Sequence, residues 1–137
     1  KTAVNLFHAE ATPTARGSIV DITCGGIGTP GDNNADFLYG RSTAVGVEGS
    51  GLVPNNIDPV GPVGDIDSGL GVYTCEPTYT AAKQLLAFQL HHRATFRWCA
   101  QPGFELMMNA TQNNGAGVKS VSSSSTQAYG HCIFFME

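Results

Sequence analysis

Charge is scarce in this chain: Asp, Glu, Lys and Arg make up 13% of its 137 residues, against about a quarter in ordinary globular domains. The seven basic residues, Lys1, Arg16, Arg41, Lys83, Arg93, Arg97 and Lys119, are dispersed, and only Arg93 and Arg97 are close together. Neutralising a phosphate backbone takes clustered cations. With a net charge of −4, direct binding to nucleic acid is not expected. No run approaches the ~20 apolar residues that cross a bilayer as a helix, so membrane insertion is not expected either. The opening KTAVNLFHAEA does not read as a basic segment followed by an apolar signal core.

Motifs of nucleotide and acyl-transfer chemistry are missing too. There is no G-x-S-x-G, P-loop or dinucleotide fingerprint, and the glycine-rich CGGIGTPG runs into aspartates where a phosphate cradle needs a helix start. No cysteine has the surroundings of a nucleophile. The chain therefore reads as a non-enzyme.

Turn chemistry is what the sequence has in plenty. Seventeen glycines and seven prolines among many Ser, Thr and Asn, with 42% apolar residues, describe a single β domain over residues 1–137 with one core. The start at Lys1 without methionine, and the apolar ending HCIFFME, point to the C-terminal domain of a longer protein or to a mature chain after cleavage. In FQLHHRATFRWCA the period of two predicts one long strand, Phe88 to Ala100, burying Phe88, Leu90, His92, Phe96 and Trp98. QPG turns the chain, and FELMMNA follows as the antiparallel neighbour. GSIVDITC, ADFLYG, STAVGVEG and GLGVYTCEP are further strands, TQNNGAG is a loop, and SVSSSSTQ offers little to a core. AYGHCIFFME, apolar on both faces, is a central strand or an edge covered by a partner. TAAKQLLAF is the one candidate helix, capped by Thr80, and equally the lead-in to the long strand. The fold class is all-β: an antiparallel sandwich or barrel, jelly-roll-like, with at most one short helix.

Asp65 and Asp67 are the candidate metal ligands, in a Gly- and Pro-rich segment long enough to suggest a function or a partner. Hard cations take several oxygens at once, so carboxylates two apart on a bent loop can turn to one Ca²⁺ or another divalent cation, with Asp58 near enough to join them. Asp32, Asn34 and Asp36 echo a calcium loop but lack its later glycine and glutamate. The alternative in both places is a turn, in which Asp bonds its own backbone. A hydrolase built on Asp65 would need a desolvated carboxyl and His91 or His131 beside it. The histidines, with Cys99 and Cys132, show no zinc spacing, and core packing is expected of them. Cys24, Cys75, Cys99 and Cys132 allow three pairings. Thiols are expected in an intracellularly assembled protein and two bridges in a secreted one.

The loop GDIDSG, taken with the closing AYGHCIFFME, resembles the C-terminal protruding domain of nodavirus capsid proteins, particularly those of prawn and shrimp viruses. The resemblance implies a spike on an icosahedral shell, paired as a homodimer across local two-fold axes. It places the domain on the outer surface of a virion assembled in the host cytoplasm, attaching to a host cell-surface molecule. It also implies divalent cation binding at Asp65 and Asp67. A dimer interface is self-complementary and apolar at its centre. Here that points to Leu52, Val53, Ile57, Val60 and Val63, and to the second apolar face of the last strand. The alternative is a secreted carbohydrate-binding β-sandwich, which needs an exposed aromatic platform, whereas the only tryptophan, Trp98, falls on a buried face.

Overall fold

The computed structural model describes residues 1–29, 31–47, 50–52, 54–58, 60, 64–70, 73–121 and 128–137. Within them the regular structure is all β. The strands are β1 (Thr2–His8), β2 (Ser18–Ile27), β3 (Asn34–Ala44), β4 (Ser50–Leu52), β5 (Ile66–Leu70), β6 (Thr78–His91), β7 (Thr95–Cys99), β8 (Leu106–Met107), β9 (Gly115–Ser120) and β10 (Ala128–Met136). They form two antiparallel sheets, one of six strands in the order β4, β5, β1, β9, β3, β6, and one of four in which β10 and β7 flank β2 and β8 pairs with the start of β2.

Alternation decides which side chains the sheets share. Along β3, Ala35, Phe37 and Tyr39 are buried while Asp36 and Leu38 are only half-buried, as a period of two requires. Ile19, Ile22 and Cys24 of β2 join them in the same core. The odd step between Ile19 and Ile22 is a bulge: Asp21 pairs with Phe134 and Ile19 with Phe135, which leaves Val20 as the extra residue. Phe37 sits at the centre, stacked on Phe88 at 5.4 Å and edge-on to Tyr129 of the other sheet at 5.1 Å. Burying one such side chain contributes about 1.5–3 kcal/mol.

TAAKQLLAF, open between a short helix and the lead-in to the long strand, is the latter: it lies within β6, because Leu86 and Phe88 pair with Tyr39 and Phe37 and cross-strand packing overrides helix propensity. Three other expectations about local structure are corrected. The single strand expected from Phe88 to Ala100 is broken at His92–Ala94, where Ala94 N–H donates to His91 O. Its two halves go to different sheets, and stacking of Phe88 on Phe96 at 3.8 Å spans the break. The segment FELMMNA does not pair with β7; both lie against β2.

The GAG of TQNNGAG is not loop either. The turn ends at Asn114, after Asn113 takes a left-handed φ of 63°, and Gly115–Gly117 open β9, buried between β1 and β3.

Candidate functional site

An open groove of about 860 Å³ lies where the end of β10 meets the start of β5. Its shape follows from long-range pairing. β1 and β5 run antiparallel with His8 opposite Ile66, and Ala9 N–H donates to Asp65 O at 3.0 Å, which brings the residues after β1 against the GDID loop. Glu137 then reaches back from the end of β10 and accepts the Asp65 N–H at 2.7 Å. A Cβ on Gly64 would press on that carboxylate, the far end of a side chain that can turn aside.

Ile66 is buried in the core. An extended chain returns every second side chain to the same side, so Asp65 and Asp67 flank Ile66 on the opposite face. Both line the groove, with Glu10 and Glu137 as further carboxylates and Ile57, Ile133, Phe134 and Phe135 as its apolar lining. The aspartates bond backbone amides: Asp65 Oδ2 accepts from Thr14 N at 3.5 Å, and Asp67 Oδ1 from Ser68 N at 2.7 Å. The first bond ties the segment before β2 to the loop across 51 residues, and the second lies within β5, so neither is the local turn the sequence offered as the alternative. Asp58 is the one that makes a turn of its own, accepting the Val60 N–H two residues on at 3.0 Å. Among the described residues no group of three or more His, Cys, Asp or Glu side chains is placed to hold a metal ion. Asp32 and Asp36 are drawn apart. Asp32 pairs with Arg93 at 3.0 Å, while Asp36 Oδ1 accepts from Gln89 Nε2 across the β3–β6 pair.

Of the residues expected at a dimer interface, Leu52 lies in β4 with its backbone paired to Ser68, and Ile57 and Val60 project to solvent. Val53 and Val63 lie outside the described residues.

The histidines pack away from the groove. His92 is buried, accepts the Gly31 N–H through Nδ1 at 2.9 Å and donates from Nε2 to the carbonyls of Ile27 and Ala128. These bonds fix its tautomer and tie the end of β2 to the start of β10. His131 lies edge-on to Phe37, within 3.5 Å of the Tyr39 hydroxyl and 3.9 Å of the Cys24 sulfur. Burial holds its pKa down to about 4 and pushes the Cys24 thiol up to about 12. All four cysteines are free thiols, with Cys24 buried and Cys75, Cys99 and Cys132 exposed. On the outer face of the four-stranded sheet, Arg97 grips Asp21 through Nε and Nη2, at 2.6 Å for the shortest contact. Its hydrogen bonds hold the Asp21 carboxyl below the usual carboxylate range.

Glu10, Thr14 and Glu137 were not singled out by the sequence. Each is an ordinary polar residue near a strand end, and only the β1–β5 pairing and the course of β10 bring them to the GDID loop. No protein-family model matches this chain, and neither a curated protein nor a solved structure does.

Proposed function

We propose that the chain is an assembly and attachment module of the capsid protruding-domain kind: a jelly-roll-like spike that pairs with a second copy and presents its loops to a host cell-surface molecule. The observation that carries this reading is the apolar surface around the groove. Ile57 and Phe134, both in its lining, are 83% and 43% exposed, and Val60 and Met136, within three residues of them in the chain, are 90% and 54% exposed. Scattered apolar residues on a surface are ordinary, but a group of them beside one groove marks a place that meets another molecule. The free cysteines, and the half-buried Trp98 opposite Ile22, favour this reading over a disulfide-bonded lectin with an aromatic platform. A divalent cation at Asp65 and Asp67 would use the carboxylate lone pairs that the Thr14 and Ser68 amides leave over, since each amide occupies one oxygen of its aspartate.

The test is expression of the complete gene product that carries this chain, followed by gradient sedimentation and negative-stain microscopy. Particles whose surface projections are decorated by an antibody against the chain are expected. A product that forms no particles, or particles that bind the antibody only after disruption, overturns the reading.

A further inference from the structure

We infer that β10 pairs with β10 of a second copy of this chain, antiparallel across a two-fold axis, joining the two four-stranded sheets into one. This rests on the pairing half of the reading above and not on its capsid half. β10 is bonded to β2 along one side, and among the described residues no strand takes the other. Its nine residues include no proline and no Asp, Glu, Lys or Arg. Exposed edges are ordinarily blunted by lysine, proline, a bulge or an inward charge, because their free N–H and C=O groups template another strand. The bulge of this pair falls on β2, at Val20, so β10 itself runs regular. The groove flanks Ile133, Phe134 and Phe135 and leaves room for an extended chain beside them.

The order of side-chain sizes identifies the occupant. Tyr129, His131, Ile133 and Phe135 turn toward the core, which leaves Ala128, Gly130, Cys132, Phe134 and Met136 as the outer row. That row is small in its first half and large in its second. A two-fold axis through the midpoint, Cys132, sets Ala128 opposite Met136 of the second copy, Gly130 opposite Phe134, and Cys132 opposite itself. Each large side chain then stands opposite a small one, and an aromatic ring beside a cross-strand glycine is a recognised stabilising pair; at Gly130 the ring also meets the Ile27 side chain that already flanks the glycine. An unrelated strand need not carry the inverse order, whereas this strand reversed against itself always does. The pairing is isologous and closes at two copies. It also brings no Asp, Glu, Lys or Arg of the paired segments against the carboxylates of the groove, since Glu137 lies one residue beyond β10.

Sedimentation equilibrium of the purified chain over a concentration series, under reducing conditions, tests the pairing. A monomer–dimer equilibrium is expected, and Phe134→Lys should weaken it about tenfold or more while near-UV circular dichroism stays unchanged. Cross-linking reads the register without relying on that variant. In a Cys75→Ser, Cys99→Ser background, added diamide should join two Cys132 thiols. The thiols give up two protons and two electrons, the S–S bond forms, and the diazene is reduced to the hydrazine. Cys132→Ser should abolish the covalent dimer. Adding Ala128→Cys and Met136→Cys together should restore it, whereas either one alone should not. A monomer at every concentration, a dimer indifferent to Phe134→Lys, cross-links that ignore position, or capture of a cationic peptide without self-association would each overturn the inference. Dimerisation through another face sinks β10 pairing alone. A β10 dimer in a gene product that forms no particles sinks the capsid reading alone.

Discussion

Tyr79 of β6 lies across Gly117 of β9, so that a Cβ at position 117 would fall 2.5 Å from the phenol oxygen and 2.8 Å from both Asn5 Oδ1 and Val4 O. The ring is held from several sides. Its hydroxyl shares a hydrogen bond with Thr2 Oγ1 at 3.1 Å, and Lys119 Nζ stands 5.0 Å from the ring centroid. Asn5 in turn accepts from the Ser42 hydroxyl at 2.9 Å. The face of the six-stranded sheet that looks away from the core thus has a small polar packing layer of its own.

Gly117→Ala is therefore expected to cost about 1–3 kcal/mol, measured by urea denaturation, because the carbonyl of Val4 cannot move aside as a side chain can. Adding Tyr79→Ala should recover only part of that loss. Full additivity of the two substitutions would show that the ring and the glycine do not interact.

His8 is fully buried, and neither of its ring nitrogens has a hydrogen-bond partner. A polar group left unsatisfied in a core costs about 1–3 kcal/mol, while an apolar replacement of similar shape is near neutral or stabilising. His8→Leu should raise the melting temperature. A marked fall would mean that the imidazole makes a bond in solution that its described neighbours do not supply.

The folded pKa of His131 is depressed from 6.5 to about 4 by burial. The unfolded chain therefore binds more protons between these values, and stability should be fully present above pH 6.5 and decline as pH falls toward 4. The loss is on the order of 2 kcal/mol after allowance for partial exposure. Asp21 and Glu105, both held below their ordinary values, contribute mainly at lower pH. Denaturation at several pH values should show the slope in the parent chain and a flatter profile in His131→Leu. The same slope in both would remove the assignment.

Calcium offers a direct reading of the Asp-Ile-Asp loop. A ligand present at its dissociation constant stabilises by only ~0.4 kcal/mol, and at a hundredfold excess by about 2.7 kcal/mol. Because Ca²⁺ takes about six to eight oxygens and no group of three or more His, Cys, Asp or Glu side chains is placed for an ion among the described residues, millimolar Ca²⁺ is expected to leave the melting curve in place. A stabilisation that disappears in both Asp65→Asn and Asp67→Asn would make the pair a cation site after all.

Strands whose two faces differ in polarity were legible before the structure. ADFLYG falls within β3, whose Ala35, Phe37 and Tyr39 keep the alternation, while GSIVDITC, most of which falls in β2, loses it at the Val20 bulge. TAAKQLLAF was ambiguous for a physical reason: its Ala, Gln and Leu suit a helix, and only the Phe37 and Tyr39 rings of β3 decide against one. The glycines of β9 signalled a turn because a residue with no side chain looks the same in a loop as beneath a tyrosine. The groove was half legible. Asp65 and Asp67 stood out, but Glu10 and Glu137 reach them only through pairings that no local window contains.

The place of β9 has a consequence for how this chain reaches its fold. Val118 pairs with Val4 on one side and Tyr39 on the other, so β1 and β3 cannot be neighbours and must wait for a strand encoded long after both. During synthesis the six-stranded sheet is a structure with a slot in its middle. Closing it means capturing a segment across a long loop, a step that is entropically slow and leaves two strand edges open to wrong partners meanwhile. Gly115, Ala116 and Gly117 make that late arrival thin, a strand that can slide into the slot with almost no side chain to clear a path for.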